Sequence, residues 1–451
     1  MPTKILFIAL DSADYRFVER LERAGYLPEI AKIKRVSRVV PVSRGQGLTD
    51  DAIWASFQYA AELGDHARYH WQRDRAGRDD YYFNTQGEDG LQSWWEPLSD
   101  AGAKVAIFDI PKARLTAPTN GMHLTDWLAH GRYITGVKSF PADIANAVQT
   151  DFGAEPHSYC RDHAIGHTEL DYDAVVDSLL QSADLKLKAS LHYLDKDDWD
   201  LFAVGFKEIH CISHLAWDRD ALEREDLSAD HPVVRIFRRV DRAVGELVSH
   251  AGQECEVFLY SSTGIGGNQS IEHHLPELVE RLNRQLFRPG LLSRLGLKAW
   301  RPVITQLPYN EDVVTLRVRP PAGMTMEEAL DRIEQQLRTL RADGQEFPLF
   351  LKFDRPSSQS SGARKERLPD LMAFLNPNVM QPECIRSASL GVFENIPEII
   401  RPGNHKGDGF MVIPDSNERL RQQKRMQIHE IGPLLSEEVK RAAGVFEDSC
   451  S

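Results

Sequence analysis

The chain has 451 residues, 54 Lys and Arg against 67 Asp and Glu, a formal net charge of −13, 42% hydrophobic residues and 27% charged ones. This composition supports a folded core in one large domain or two, and it lacks the basic surplus that binding to a phosphate backbone requires. The longest apolar run, Ile5 to Leu10, is six residues, against about 20 for a membrane span and roughly 7–15 for the apolar region of a signal peptide. The expectation is a soluble, cytoplasmic protein with no nucleic-acid or membrane partner. Its five cysteines, Cys160, Cys211, Cys255, Cys384 and Cys450, are scattered without CxxC spacing, which argues against a disulfide framework and an all-thiolate zinc site.

The opening run Lys4 to Leu10 stops abruptly at Asp11-Ser12-Ala13-Asp14. A buried parallel strand has this form, with polar residues at the carboxyl end where α/β folds place their chemistry; Asp11 is the first candidate. Next, Gln46-Gly47-Leu48-Thr49-Asp50-Asp51 forms a turn opening a helix. Thr49 or Asp50 there either caps the helix or provides a nucleophile or anion site at its N-terminus. Short apolar runs recur at Lys104 to Ile110, Leu201 to Phe206, Glu256 to Tyr260, Val313 to Val318, Phe347 to Phe353 and Gly409 to Ile413, with helical stretches such as Glu327 to Leu340 between them. That alternation predicts an α/β fold with a mostly parallel sheet covered on both faces. The cluster of Pro, Ser and Gly from Arg355 to Arg364 reads as a mobile loop. Candidate chemical residues lie on both sides of 272–370, so that span is expected to be an inserted smaller α+β subdomain within a core of 1–271 and 371–451.

The segment Phe206 to Trp217 contains Glu208, His210 and His214. On a helix the two histidines lie one turn apart on one face, a spacing at which two imidazoles can hold one ion; the alternative is two packed, hydrogen-bonded histidines. Glu208, at the strand's end, reads as a ligand, a general base, a partner of a histidine, or a surface carboxylate. A glycine-rich turn, Arg401 to Gly409, brings His405 into a final strand.

The order of these segments resembles the type I phosphodiesterase and nucleotide pyrophosphatase branch of the alkaline phosphatase superfamily. The elements that carry the likeness are Leu10-Asp11-Ser12 with Gly25-Tyr26-Leu27-Pro28, Ala52-Ile53-Trp54-Ala55-Ser56-Phe57 with Gly64-Asp65-His66, and Trp94-Trp95-Glu96-Pro97-Leu98. They continue with the Glu-x-His-x-x-x-His-x-x-Trp segment, Val240-Asp241, Pro369-Asp370-Leu371 and Gly403-Asn404-His405. The likeness spans about residues 1 to 446.

This resemblance implies an alkaline-phosphatase-like sheet and a metal centre that acts on small anionic substrates. Family members usually hold two ions, commonly zinc, with a Thr or Ser nucleophile between them. One ion's positions map to His210, His214 and His405, where histidine replaces the usual Asp. Such a set suits zinc with an open fourth position and can lower the pKa of bound water to about 7. The other ion's positions keep Asp11, but its Asp-His pair has become Ser262-Thr263, and hydroxyls alone are poor ligands for a dissociable divalent ion. One ion is therefore expected rather than two. The nucleophile position falls on Asp50 in an ungapped count and on Thr49 with a one-residue insertion. The expected activity is metal-dependent hydrolysis of a phosphate, phosphonate or sulfate ester, with Asp11, Asp50 and Glu208 orienting water or protonating the leaving group. The alternatives are a single-metal transferase or lyase of a specialised biosynthetic pathway, and a non-catalytic ligand-binding descendant.

Overall fold

A computed structural model describes residues 3–44, 50–70, 72–75, 78–81, 90–128, 136–156, 171–222, 224, 226–287, 302–308, 312–396, 402–415, 420 and 422–445. Its centre is a nine-stranded sheet in the order Met426–Gln427, Ser37–Ser43, Gly409–Pro414, Glu256–Ser261, Ile5–Leu10, Leu201–Phe206, Val105–Phe108, Gly121–Thr125 and Lys138–Phe140. The run from Glu256–Ser261 to Gly121–Thr125 is parallel. Gly409–Pro414 enters antiparallel between Ser37–Ser43 and Glu256–Ser261.

Ile5–Leu10 is fully buried because it feeds two cores at once. Successive side chains of a strand point to opposite faces: Leu6, Ile8 and Leu10 join the helices Tyr15–Arg23, Tyr172–Leu194, Glu208–Ala216 and Pro232–Ala251. Ile5, Phe7 and Ala9 join Asp50–Tyr59, Glu96–Asp100 and Ile428–Ala443 on the other face. Each large apolar side chain so buried stabilises by about 1.5–3 kcal/mol, so a polar substitution in this strand damages the layer that the side chain enters. The expected α/β architecture, mostly parallel and helix-covered on both faces, is what the chain adopts.

A third apolar cluster runs from Ile271 to Phe393. It contains the helices Leu275–Leu286 and Met326–Leu337 and a four-stranded antiparallel sheet in the order Ile304–Gln306, Val313–Val318, Leu371–Leu375, Phe350–Asp354. Leu371–Leu375, just past residue 370, is an inner strand of this sheet. The segment Arg355 to Arg364, expected to be a mobile loop, is instead fastened down. Pro356–Gln359 is a helical turn, the Arg364 N–H donates to Gly64 O at 2.8 Å, and Ser361 Oγ donates to Glu62 at 2.6 Å. A Cβ on Gly64 would stand 1.6 Å from Ser361 O, so glycine is what lets the two backbones touch.

Candidate metal centre

Parallel pairing brings the chemistry together. Leu10 is in register with Phe206 on one side and Ser261 on the other, so Asp11, the helix after Phe206, and Ser262 all emerge at one edge of the sheet. That helix, Glu208–Ala216, is buried along its whole length. It places the His210 and His214 rings 4.6 Å apart between centroids.

The third histidine arrives on a two-stranded ladder in which Gly403–Lys406 pairs with Gly264–Gly267 and His405 lies opposite Ile265. Gly403 makes the docking possible, since a Cβ there would fall 1.9 Å from Ser213 O in the helix. The same close approach lets His214 Nδ1 donate to Gly403 O at 2.8 Å. His405 then stands 4.8 Å from His210 and 4.7 Å from His214 between ring centroids. His214 Nε2 and His405 Nε2 are 3.1 Å apart. One nitrogen from each of the three buried rings lies within 4.8 Å of the others.

Asp11 sits beside this trio and is fully buried. Its Oδ1 accepts from Ser262 Oγ at 3.1 Å and Ser12 Oγ at 3.3 Å, and its Oδ2 lies 3.3 Å from His210 Nδ1. The hydroxyls of Ser262 and Thr263 are engaged locally: Ser262 with Asp11, and Thr263 with Gly407 O at 3.0 Å.

Glu208 faces elsewhere. Its Oε1 accepts from Ser182 Oγ at 2.8 Å in the helix Tyr172–Leu194. Burial raises its pKa, opposed by the charges of Lys186 and Lys207. Lys186, also buried, bonds to Asp109 and donates to Gly205 O at 3.0 Å. Asp109 further accepts from the N–H groups of Trp127 and Leu128 at 3.0 and 2.7 Å, and Lys207 pairs with Glu155 at 2.6 Å. Thr49 lies outside the described residues, as does the side chain of Asp50, whose backbone opens the helix Asp50–Tyr59. The polar cluster Asp162, His163 and His167 is also outside them.

Sequence reading overlooked Ser12, Asp109 and Lys186. Ser12 adjoins a candidate, but its partners are distant in the chain. Lys186 occupies a helix position that looks like surface.

A family model described as type I phosphodiesterase / nucleotide pyrophosphatase matches residues 6–392, and the chain belongs to that family. It is a family of metal-dependent hydrolases. No curated protein matches the chain. Among solved structures, it is similar to phosphonoacetate hydrolase from Sinorhizobium meliloti 1021, determined with phosphonoformate and with phosphonoacetate. The TM-score is 0.57 at 12% identity, over 98% of this chain and 96% of that one. It is also similar to murine ectonucleotide pyrophosphatase/phosphodiesterase 5, determined as an inactive variant with AMP. There the TM-score is 0.51 at 10% identity, over 97% and 95% of the two chains. At such identities the likeness establishes the alkaline-phosphatase-like fold.

Proposed function

We propose that this chain is a hydrolase of small phosphate, phosphonate or sulfate esters that works with one principal divalent ion, zinc first, on His210, His214 and His405. The convergence of three buried imidazoles from segments far apart in sequence carries this reading. One pair of the donors fits the ion directly: two nitrogens at about 2.0–2.1 Å from a tetrahedral zinc lie about 3.3 Å from each other, close to the 3.1 Å between His214 Nε2 and His405 Nε2, and the third ring offers a nitrogen within 4.8 Å of both. When bound, the ion supplies Lewis acidity and acidifies water.

Asp11 enters as negative charge behind His210. Its contacts with Ser12 and Ser262 support one ion over two, because the hydroxyls that replace the usual ligands are already engaged. Glu208 is assigned to bracing the helix that carries two ligands, on the strength of its bond to Ser182. Thr49 and Asp50 stay as candidate nucleophile and water-orienting group. The family neighbours determined with phosphonoacetate and AMP motivate a small anionic substrate.

The test is elemental analysis of metal-replete protein with turnover of aryl phosphodiester, phosphonate and sulfate esters. One ion per chain and turnover that His214→Ala reduces at least 100-fold are expected. A metal-free protein, or one whose turnover survives His214→Ala, contradicts the reading. One bound ion with no turnover of any ester favours the single-metal transferase or lyase, which the replacement by Ser262 and Thr263 also motivates.

A further inference from the structure

The backbone of Ser12 adopts the left-handed conformation that favours glycine, with φ of 62°. A non-glycine residue held in the left-handed region is strained and persists where its surroundings fix it. Here the side chain is fully buried and central to the histidine trio. Ser12 Oγ lies 3.2 Å from His210 Nδ1, 3.3 Å from His405 Nδ1 and 3.3 Å from Asp11 Oδ1. Its N–H donates to Ser262 Oγ at 3.2 Å.

Hydrogen-bond counting assigns the protons. A hydroxyl has one proton and two lone pairs, whereas an ionised carboxylate only accepts. The Ser12 proton therefore goes to Asp11 Oδ1, and the two lone pairs are left to receive Nδ1–H from His210 and from His405. A backbone carbonyl also only accepts, so His214 carries its proton on Nδ1 toward Gly403 O. All three rings are then the same tautomer, with the lone pair on Nε2. Two such lone pairs at 3.1 Å, on His214 and His405, repel unless a cation lies between them.

We propose that Ser12 is the positioning residue of this centre, one hydroxyl that fixes the tautomer and orientation of two imidazole ligands brought from remote parts of the chain. This rests on the reading of the three histidines as ligands of one ion. Outer partners of metal-bound histidines are typically worth 10–100-fold in metal affinity.

The test compares wild type with Ser12→Ala, Ser12→Gly and His214→Ala, by cobalt(II) titration in competition with a chromophoric chelator and by the visible ligand-field spectrum. Ser12→Gly keeps the left-handed backbone without strain and so separates loss of the hydroxyl from misfolding, with the metal-free thermal midpoint as control. Both Ser12 variants are expected to bind cobalt 10–100-fold more weakly and to show an altered ligand-field band, while Ser12→Gly melts no lower than wild type without metal. If wild type binds one equivalent and Ser12→Gly matches it in affinity and spectrum, the role of Ser12 is overturned and the centre stands. If wild type takes up no cobalt, the centre itself is overturned, and Ser12's role with it.

Discussion

At the scale of single residues, buried histidines fall into two settings that burial alone does not distinguish: the clustered rings of His210, His214 and His405, and rings that stand apart from one another. His66 and His123 are as buried as His210, His214 and His405, but the hydrogen bonds of each run to its own neighbourhood. His66 shares a bond with Ser56 Oγ at 2.9 Å and accepts from the Arg68 N–H at 3.0 Å. His123 Nδ1 accepts from the Thr116 N–H at 3.0 Å. Burial pushes both pKa values down to about 3, so the folded state holds both rings neutral while the unfolded chain protonates near 6.5. Between those values the unfolded state binds more protons, so stability is complete above about pH 6.5 and falls as pH drops toward 3. From pH 7 to pH 5 each ring should remove about 2 kcal/mol, at roughly 1.4 kcal/mol per unit. Urea midpoints at the two pH values should show a smaller loss in His66→Gln than in wild type; identical losses would place the His66 pKa near its ordinary value.

At the scale of elements, the helix Glu208–Ala216 is held from behind by charge as well as by apolar packing. Lys186 and Asp109 are both almost wholly inaccessible, and removing one member of a buried pair typically costs about 3–5 kcal/mol. Burial raises the pKa of Glu208, and its Oε1 accepts from Ser182 Oγ, a bond that a glutamine amide oxygen can also accept. Lys186→Met should therefore destabilise by about 3–5 kcal/mol, whereas Glu208→Gln, which keeps shape and the Ser182 bond, should stay within about 1 kcal/mol. Denaturation curves for the two variants decide it: a Glu208→Gln loss as large as that of Lys186→Met would mean that Glu208 is ionised.

The same scale explains what could be read from sequence. Leu201–Phe206 and Val313–Val318 coincide with their expected runs; the first is buried throughout in a parallel sheet and so reads as a continuous apolar stretch, while the second keeps enough β-branched and apolar residues to read as a strand. His210 and His214 were legible through helical spacing. Several family motifs are scaffold: Asp241 accepts from the N–H groups of Glu29 and Ile30 at 3.1 and 2.8 Å, tying Val240-Asp241 to the helix that follows Leu27. Ser12 was illegible because its two histidine partners lie 198 and 393 residues away. The Arg355 to Arg364 segment misled because its composition is that of a free loop, while its anchor is a glycine contact with residue 64.

At the scale of the whole molecule, a ligand that binds only the folded state adds stability as RT ln(1 + [L]/Kd), about 2.7 kcal/mol at one hundred times Kd. Zinc added to chelator-treated protein should raise the thermal midpoint by several degrees, and His214→Ala should abolish the rise. An unchanged wild-type midpoint would contradict a folded-state metal site. Among the described residues no helix is long and apolar enough to cross a membrane.

His214 and His405 are separated by 191 residues, and the smaller unit lies between them. An ion shared by those two rings is topologically a clasp: it closes a loop of that length, and holding such a loop shut removes roughly 5 kcal/mol of chain entropy from any state that keeps the ion. The site would then be a late-setting rivet, unable to form until the large sheet and the Gly403–Lys406 ladder have met. Once set, it would resist opening of the final strands independently of any reaction at the centre.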